Sequence, residues 1–134
     1  MNNNSFSAMI LAAGYGKRMM PITKNIPKPL IEVNNVSLLK NVIDFLLRIN
    51  CKKIVLNTHF KHELIFDFIK KNYPSSNIFL TYEKRILDTG GGVKNALKFF
   101  DDDKILVTNS DIYWTKDNEQ HVKKFLLEYK KNEL

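Results

Sequence analysis

The segment that decides the fold is residues 8–29, AMILAAGYGKRMMPITKNIPKP. Its first part is a short apolar run that ends at a glycine, which predicts a buried β-strand over residues 7–12. The remainder carries two glycines, three prolines and four cationic side chains, and the prolines argue against helix over most of 14–29. A stiff, basic loop directly after a buried strand indicates that an anion is held at the end of that strand.

The rest of the chain alternates between strand-like and helix-like patterns. Further strands are predicted at residues 53–57, 78–82 and 104–109. Helices are predicted at residues 38–49, 62–72, 91–100 and 117–131. Strands separated by helices predict βαβ units, a mostly parallel sheet and a Rossmann-like three-layer α/β/α fold. We expect one domain over residues 1–134.

Composition and charge limit the kinds of partner that the chain is expected to bind. The chain has 134 residues, 44% of them hydrophobic, and a formal net charge of +7, which fits a globular domain with an anionic ligand. Because the lysines are scattered and not interleaved with aromatic residues, nucleic acid is not the expected partner. The apolar run in 8–13 is too short to span a bilayer, so no membrane is expected. Cys51 is the only cysteine, which excludes an intrachain disulfide and fits a small core residue in a reducing compartment, the cytoplasm.

Three polar segments follow predicted strands: residues 14–29, residues 89–92 and Asp111. The carboxyl ends of parallel strands lie at one edge of the sheet, where ligands bind in such folds, so we expect these segments to converge. Each segment alone also fits a structural role: a stiff surface loop, a flexible connection to a helix, or an aspartate that caps a turn. Their convergence at one edge is what favours a ligand site.

The residue types in these segments suit a phosphate ligand and a hard cation. Gly14 and Gly16 allow backbone N–H groups to approach an anion closely, and Arg18 and Lys28 add positive charge. A carboxylate at the end of a buried strand, as predicted for Asp111, suits Mg²⁺, which prefers oxygen ligands and phosphate.

Two common phosphate-binding motifs are absent from the sequence. It contains no G-x-x-x-x-G-K-[ST] string, and Met19 stands where a dinucleotide fingerprint needs its third glycine. The glycine run at 90–92 leads into a predicted helix, which would let a ligand approach the N-terminus of that helix.

Three strings of the sequence resemble a known family. LAAGYGKRMMPIT at 11–23, followed by PKPL at 27–30, is similar to the signature L-A-A-G-x-G-x-R-[ML]-x-P-x-T with P-K-P-[LM] of the sugar-1-phosphate nucleotidyltransferases. LDTGGGVKNAL at 87–97 resembles the second motif of that family, in the form typical of N-acetylmuramate-1-phosphate uridylyltransferases and mannose-1-phosphate guanylyltransferases. VTNSDIYW at 107–114 resembles the metal-binding motif.

The resemblance implies a nucleotide site built from strand ends and two glycine-containing loops. The implied nucleotide-binding residues are Leu11, Ala12, Ala13, Gly14, Gly16, Lys17, Arg18, Lys28, Glu83, Gly90 or Gly91, and Asn109. In that family, residues matching 11–14 contact the base and ribose, and those matching 16–18 cradle the triphosphate. Arg18 and Lys28 are the implied catalytic residues, Arg18 favouring departure of pyrophosphate and Lys28 neutralising the α-phosphate. Asp111 is the implied ligand of Mg²⁺.

The implied activity joins a nucleoside triphosphate and a sugar 1-phosphate into a nucleotide-sugar and pyrophosphate, with Mg²⁺ as cofactor. The reaction is an in-line attack of a sugar-phosphate oxygen on the α-phosphorus. Such a reaction needs positioning and charge neutralisation more than covalent help. The resemblance therefore implies an enzyme of nucleotide-sugar biosynthesis.

Two departures from the family pattern qualify this expectation. Ser110 replaces the usual glycine between Asn109 and Asp111. Members of the family also continue beyond this length, with sugar-binding residues and a second metal-binding aspartate. We therefore expect the nucleotide-binding half of an enzyme, truncated at its C-terminal side and inactive alone, with the acceptor half supplied by a second copy or another chain. The alternative is a non-catalytic nucleotide-binding or interaction subunit, or the remnant of a split enzyme.

Overall fold

Strands and helices alternate along the chain. The computed structural model describes residues 5–14, 18, 20–87, 89–101 and 104–129. Its elements are β1 (Ser7–Leu11), β2 (Glu32–Val33), β3 (Val36–Ser37), α1 (Leu38–Arg48), β4 (Lys53–Thr58), α2 (His62–Asn72), β5 (Ile78–Tyr82), α3 (Thr89–Ala96), β6 (Ile105–Asn109) and α4 (Lys116–Glu128). Short 3₁₀ turns lie at Ile22–Lys24, Lys28–Leu30 and Leu97–Phe99.

One parallel sheet organises the fold. Its strands lie in the order β5-β4-β1-β6, and every neighbouring pair is parallel. The chain runs from β1 outward to β4 and β5, then crosses back and places β6 on the other side of β1. The strand order therefore reverses beside β1, and folds of this kind bind ligands in the crevice outside the carboxyl ends at such a reversal. The predicted mostly parallel sheet is confirmed.

Helices cover both faces of this sheet. Successive residues of β1 point to opposite faces, so Ala8 and Ile10 join a core formed with α1, α2 and α4, whereas Met9 packs against α3. Phe45 of α1 is fully buried in the first core and stacks on Trp114 with their ring centroids 4.5 Å apart. The arrangement confirms the Rossmann-like three-layer α/β/α fold.

Local sequence explains where the helices begin. The Ser37 hydroxyl accepts a hydrogen bond from the Lys40 N–H at 3.0 Å, which satisfies one free donor of the first turn of α1. Thr115 and Asn118 form a reciprocal capping box at the start of α4. Cys51 is buried in the larger core, as predicted. In the described parts of the chain, every helix is too short or too polar to cross a membrane.

Three local features differ from the sequence prediction. α3 begins at Thr89 and gives way to a 3₁₀ turn after Ala96, whereas the predicted helix ran over 91–100. β2 and β3 form a small hairpin that was not predicted, in which Asn34 and Asn35 adopt positive φ angles that suit a tight turn. Among the described residues of 14–30 the chain forms no α-helix, but it forms 3₁₀ turns at Ile22–Lys24 and Lys28–Leu30, the second of which has a proline near its start.

Candidate active site

The carboxyl ends of β1, β4 and β6 lie side by side. Leu11 is in register with Asn57 of β4 and with Asn109 of β6. Beyond β1, residues 12–13 are buried and Gly14 is exposed. Of the described residues, none lies within 4 Å of a Cβ built on Gly14. Among the described residues, Gly14 therefore borders open space at this edge of the sheet.

An ion pair joins the loop after β1 to the end of β6. Lys28 Nζ lies 2.8 Å from Asp111 Oδ2, although the two residues are 83 positions apart in sequence. Both side chains remain about a third exposed, so each can still reach a ligand. The Ser110 N–H donates to the Leu11 carbonyl at 3.1 Å, which holds the start of this turn against β1. The structure thus brings together two of the predicted site residues, one cationic and one anionic.

The backbone around Lys28 is well held, whereas the first part of the loop is only partly described. The Leu30 N–H donates to the Pro27 carbonyl at 2.9 Å, and Pro29 is buried. Arg18 is exposed. Gly16 and Lys17 were predicted to cradle the triphosphate, and both lie outside the described residues. Their predicted roles stay predictions.

A buried polar network that the sequence reasoning missed connects β1, β4 and β5. Asn57 is 4% exposed, and its Oδ1 accepts from the Ala12 N–H at 2.7 Å. Its Nδ2 donates to Glu83 Oε1 at 2.9 Å, and Glu83 Oε2 accepts from the Leu87 N–H at 3.0 Å. Both carboxylate oxygens of Glu83 are thus engaged within the chain. An asparagine at the end of the otherwise apolar run KIVLN was the available sequence signal.

The glycines of α3 lie against this network. Gly90 is exposed and Gly91 is half-buried in the first turn of the helix. Gly92 is buried, and a Cβ built on it would lie 3.0 Å from Asn57 Nδ2 and 3.2 Å from Glu83 Oε1. The packing therefore requires the missing side chain of Gly92, which was not among the predicted site residues Gly90 and Gly91.

The family is decided by comparison with known proteins. The family model described as nucleotidyl transferase matches residues 7–132. The chain belongs to the nucleotidyl transferase family. The D-glycero-alpha-D-manno-heptose 1-phosphate guanylyltransferase of Campylobacter jejuni is 33% identical over 107 residues, which is 80% of this chain and 48% of that protein. The N-acetylmuramate alpha-1-phosphate uridylyltransferase of Caulobacter vibrioides is 33% identical over 111 residues, 80% of this chain and 46% of that protein.

Solved nucleotidyl transferase structures agree with the fold. HddC from Yersinia pseudotuberculosis, solved in complex with GMP-PN, superposes with a TM-score of 0.74 at 28% identity and covers 88% of this chain and 53% of that one. The predicted resemblance to sugar-1-phosphate nucleotidyltransferases is confirmed by these relatives. The chain spans about half the length of the curated relatives it matches.

Asp111 is a partly exposed carboxylate at this edge of the sheet. Within the described residues, no group of three or more His, Cys, Asp or Glu side chains gathers to form a metal cage. Asp111 is accessible and beside a lysine, whereas Glu83 is 3% exposed. Mg²⁺ in phosphate-handling sites is commonly bound by one or two carboxylates together with substrate phosphates, and Asp111 fits that mode.

Proposed function

We propose that this chain binds a nucleoside triphosphate at the carboxyl edge of its sheet and forms the nucleotide-binding half of a transferase. The transferase would move a nucleoside monophosphate to a sugar 1-phosphate and release pyrophosphate. The observation that carries the proposal is the Lys28–Asp111 ion pair beside the reversal of strand order. It places a cation suited to phosphate and a carboxylate suited to Mg²⁺ at the edge where such folds bind ligands.

The other predicted residues are assigned around this pair. Leu11 and residues 12–14 would border the base and ribose, since they follow β1 and end at open space. Arg18 would lie against the β- and γ-phosphates, with Gly16 and Lys17 beside it. Asn109 would line the same crevice from the end of β6, and the first turn of α3, with Gly90 and Gly91, would face the nucleoside.

Asp111 would hold Mg²⁺ together with the phosphates, and the metal would supply neutralisation of phosphate charge. Lys28 would neutralise the α-phosphate, because its ammonium already lies at this edge. Arg18 would stabilise the departing pyrophosphate. These roles need no covalent intermediate, since positioning and charge neutralisation carry most of the catalysis of phosphoryl transfer.

The half of the enzyme that binds the sugar 1-phosphate would lie outside this chain's nucleotide-binding domain. A sugar 1-phosphate site would come from a further segment, a second copy of the chain or a second chain acting in the cytoplasm. The α3 face of the sheet favours such a partner, because Phe79 and Val107 are apolar and are 41% and 40% exposed there. If no catalysis occurs, the second candidate function is a nucleotide-binding subunit that docks through this face.

Pyrophosphate release tests the proposed reaction. The purified chain would be assayed with Mg²⁺, the triphosphates UTP, GTP, CTP and dTTP, and several sugar 1-phosphates. Turnover that is lost in Asp111→Ala but retained in Asp117→Ala, an exposed carboxylate at the start of α4, would support a complete site. If a folded chain binds nucleotide without turnover, the nucleotide-binding subunit is favoured, and absence of both turnover and binding contradicts the proposal.

A further inference from the structure

A single buried side chain links the two walls of the proposed cleft. Ala12 is the first residue after β1, in the segment assigned to the base and ribose. Leu87 belongs to the loop that leads from β5 into α3, on the side assigned to the nucleoside. Asn57 reaches Ala12 directly and Leu87 through Glu83, by three hydrogen bonds of 2.7, 2.9 and 3.0 Å.

The direction of these hydrogen bonds is fixed by chemistry. The Ala12 N–H can only donate, so Asn57 must turn its oxygen toward β1 and its amide nitrogen toward Glu83. The carboxylate of Glu83 can then accept from Asn57 on one oxygen and from the Leu87 N–H on the other. An amide at 57 and a carboxylate at 83 are therefore matched, and changing either alone leaves two donors or two acceptors facing each other.

The network has little freedom to adjust. Asn57 and Glu83 are 4% and 3% exposed, and the Glu83 backbone is also held by a 2.8 Å hydrogen bond from its N–H to the Thr58 carbonyl. Gly92 packs closely on both side chains. Because buried packing transmits displacement, a shift of Glu83 would move the loop through Leu87 and the first turn of α3.

We propose that Asn57 is a positioning residue that sets the distance between the nucleoside wall and residues 12–14, the segment after β1 that is assigned to the base and ribose. The nucleoside wall comprises Glu83, residues 84–87 and the glycine turn of α3. The inference rests on the proposed nucleotide function and extends it to a residue that touches no reacting atom. It also gives Glu83 a role through its neighbours: its carboxylate is part of the support of the nucleoside wall.

The polarity of the network provides the test. Asn57→Asp keeps an acceptor for the Ala12 N–H but sets a carboxylate against Glu83. The affinity for the preferred Mg-nucleoside triphosphate should fall by about tenfold or more, in line with the cost of a mismatched buried polar contact. Inorganic tripolyphosphate does not use the nucleoside wall, so its affinity should change by less than about twofold. Glu83→Gln should behave likewise, since one of its two contacts becomes a pair of facing donors.

The double variant Asn57→Asp with Glu83→Gln restores a complete network with reversed polarity. The new carboxylate accepts from the Ala12 N–H and from the new amide, and the new amide oxygen accepts from the Leu87 N–H. Nucleotide affinity should return to within about threefold of the wild-type value. Asn72→Asp, the same substitution at an exposed site on α2, controls for the added charge and should leave affinity unchanged.

The possible results distinguish a failure of the proposed nucleotide function from a failure of the role proposed for Asn57. Wild-type protein that binds none of the triphosphates overturns the proposed function and this inference together. Wild-type binding with single variants that bind equally well overturns the inference alone. If the single variants do not fold, a folded double variant that binds nucleotide supports the inference, and a double variant that is no better than its parents contradicts it.

Discussion

Gly92→Ala tests the packing of α3 against the buried network. The new methyl carbon would lie 3.0 Å from Asn57 Nδ2 and 3.2 Å from Glu83 Oε1, and these two side chains are already bonded to each other. Relieving the contact requires a shift that strains or breaks a buried hydrogen bond, at a cost of about 2–3 kcal/mol. Replacing glycine by alanine inside a helix returns about 1 kcal/mol. The free energy of unfolding should therefore fall by about 1–2 kcal/mol.

Urea unfolding followed by circular dichroism measures this change directly. Thermal unfolding should show a matching fall in the melting temperature of about 4 °C for each kcal/mol in a chain of this size. Asn95→Ala is the matched control, because it improves helix propensity in α3 at an exposed position without the close contact. It should leave stability unchanged or slightly raised. A Gly92→Ala protein as stable as wild type would refute the account of the network as rigid.

Three further predictions concern residues outside this contact. Gly14→Ala should leave the free energy of unfolding within about 0.5 kcal/mol of wild type, since no described residue lies near its Cβ. The added methyl group should nevertheless crowd the cleft and weaken nucleotide binding in calorimetry. An affinity equal to that of wild type would contradict the placement of the nucleotide beside Gly14. Tyr73→Phe should cost about 2 kcal/mol in urea unfolding at pH 7, because the phenol donates to Asp44 Oδ1 at 2.6 Å. Burial and that carboxylate raise the pKa of Tyr73, so this contribution is complete below about pH 10, the value for an unfolded tyrosine, and falls progressively as the pH rises above it toward the raised pKa. A stability difference from Tyr73→Phe that does not decrease above about pH 10 would contradict the assignment. Ser37→Ala should cost about 1 kcal/mol through loss of the N-cap of α1, with Ser37→Gly closer to wild type in the same assay, and equal costs would argue against the cap.

The sequence predicted the parts of the fold that depend on local pattern. Short apolar runs located the four strands of the sheet, and their alternation with helical patterns predicted its parallel character. Ser37 was recognisable as an N-cap because its side chain acts within one turn. The end of α3 at Ala96 was not recognisable, since LKFF continues a pattern compatible with helix.

The sequence predicted which edge of the sheet carries the candidate site, but not the contacts within it. Topology implies that Lys28 and Asp111 lie near the same strand ends, but their contact depends on the turn at Ser110 and on the 3₁₀ turn that carries Lys28. Asn57 was missed because an asparagine at a strand end usually reaches water. Its function in the network appears only when β1 and β5 lie on either side of it. The tight packing of Gly92 likewise depends on the tertiary structure.

Isothermal titration of Mg-nucleoside triphosphates measures directly whether the carboxyl edge of the sheet binds a nucleotide. UTP, GTP, CTP and dTTP would each be titrated into wild-type protein, Lys28→Ala, and Lys24→Ala as a matched control that removes an exposed cation from the same loop. We expect at least one triphosphate to bind, with an affinity that falls by about tenfold in Lys28→Ala and changes by less than about twofold in Lys24→Ala. Binding that is absent for all four triphosphates, or that is weakened equally by both substitutions, would contradict the assignment of this edge as a nucleotide site.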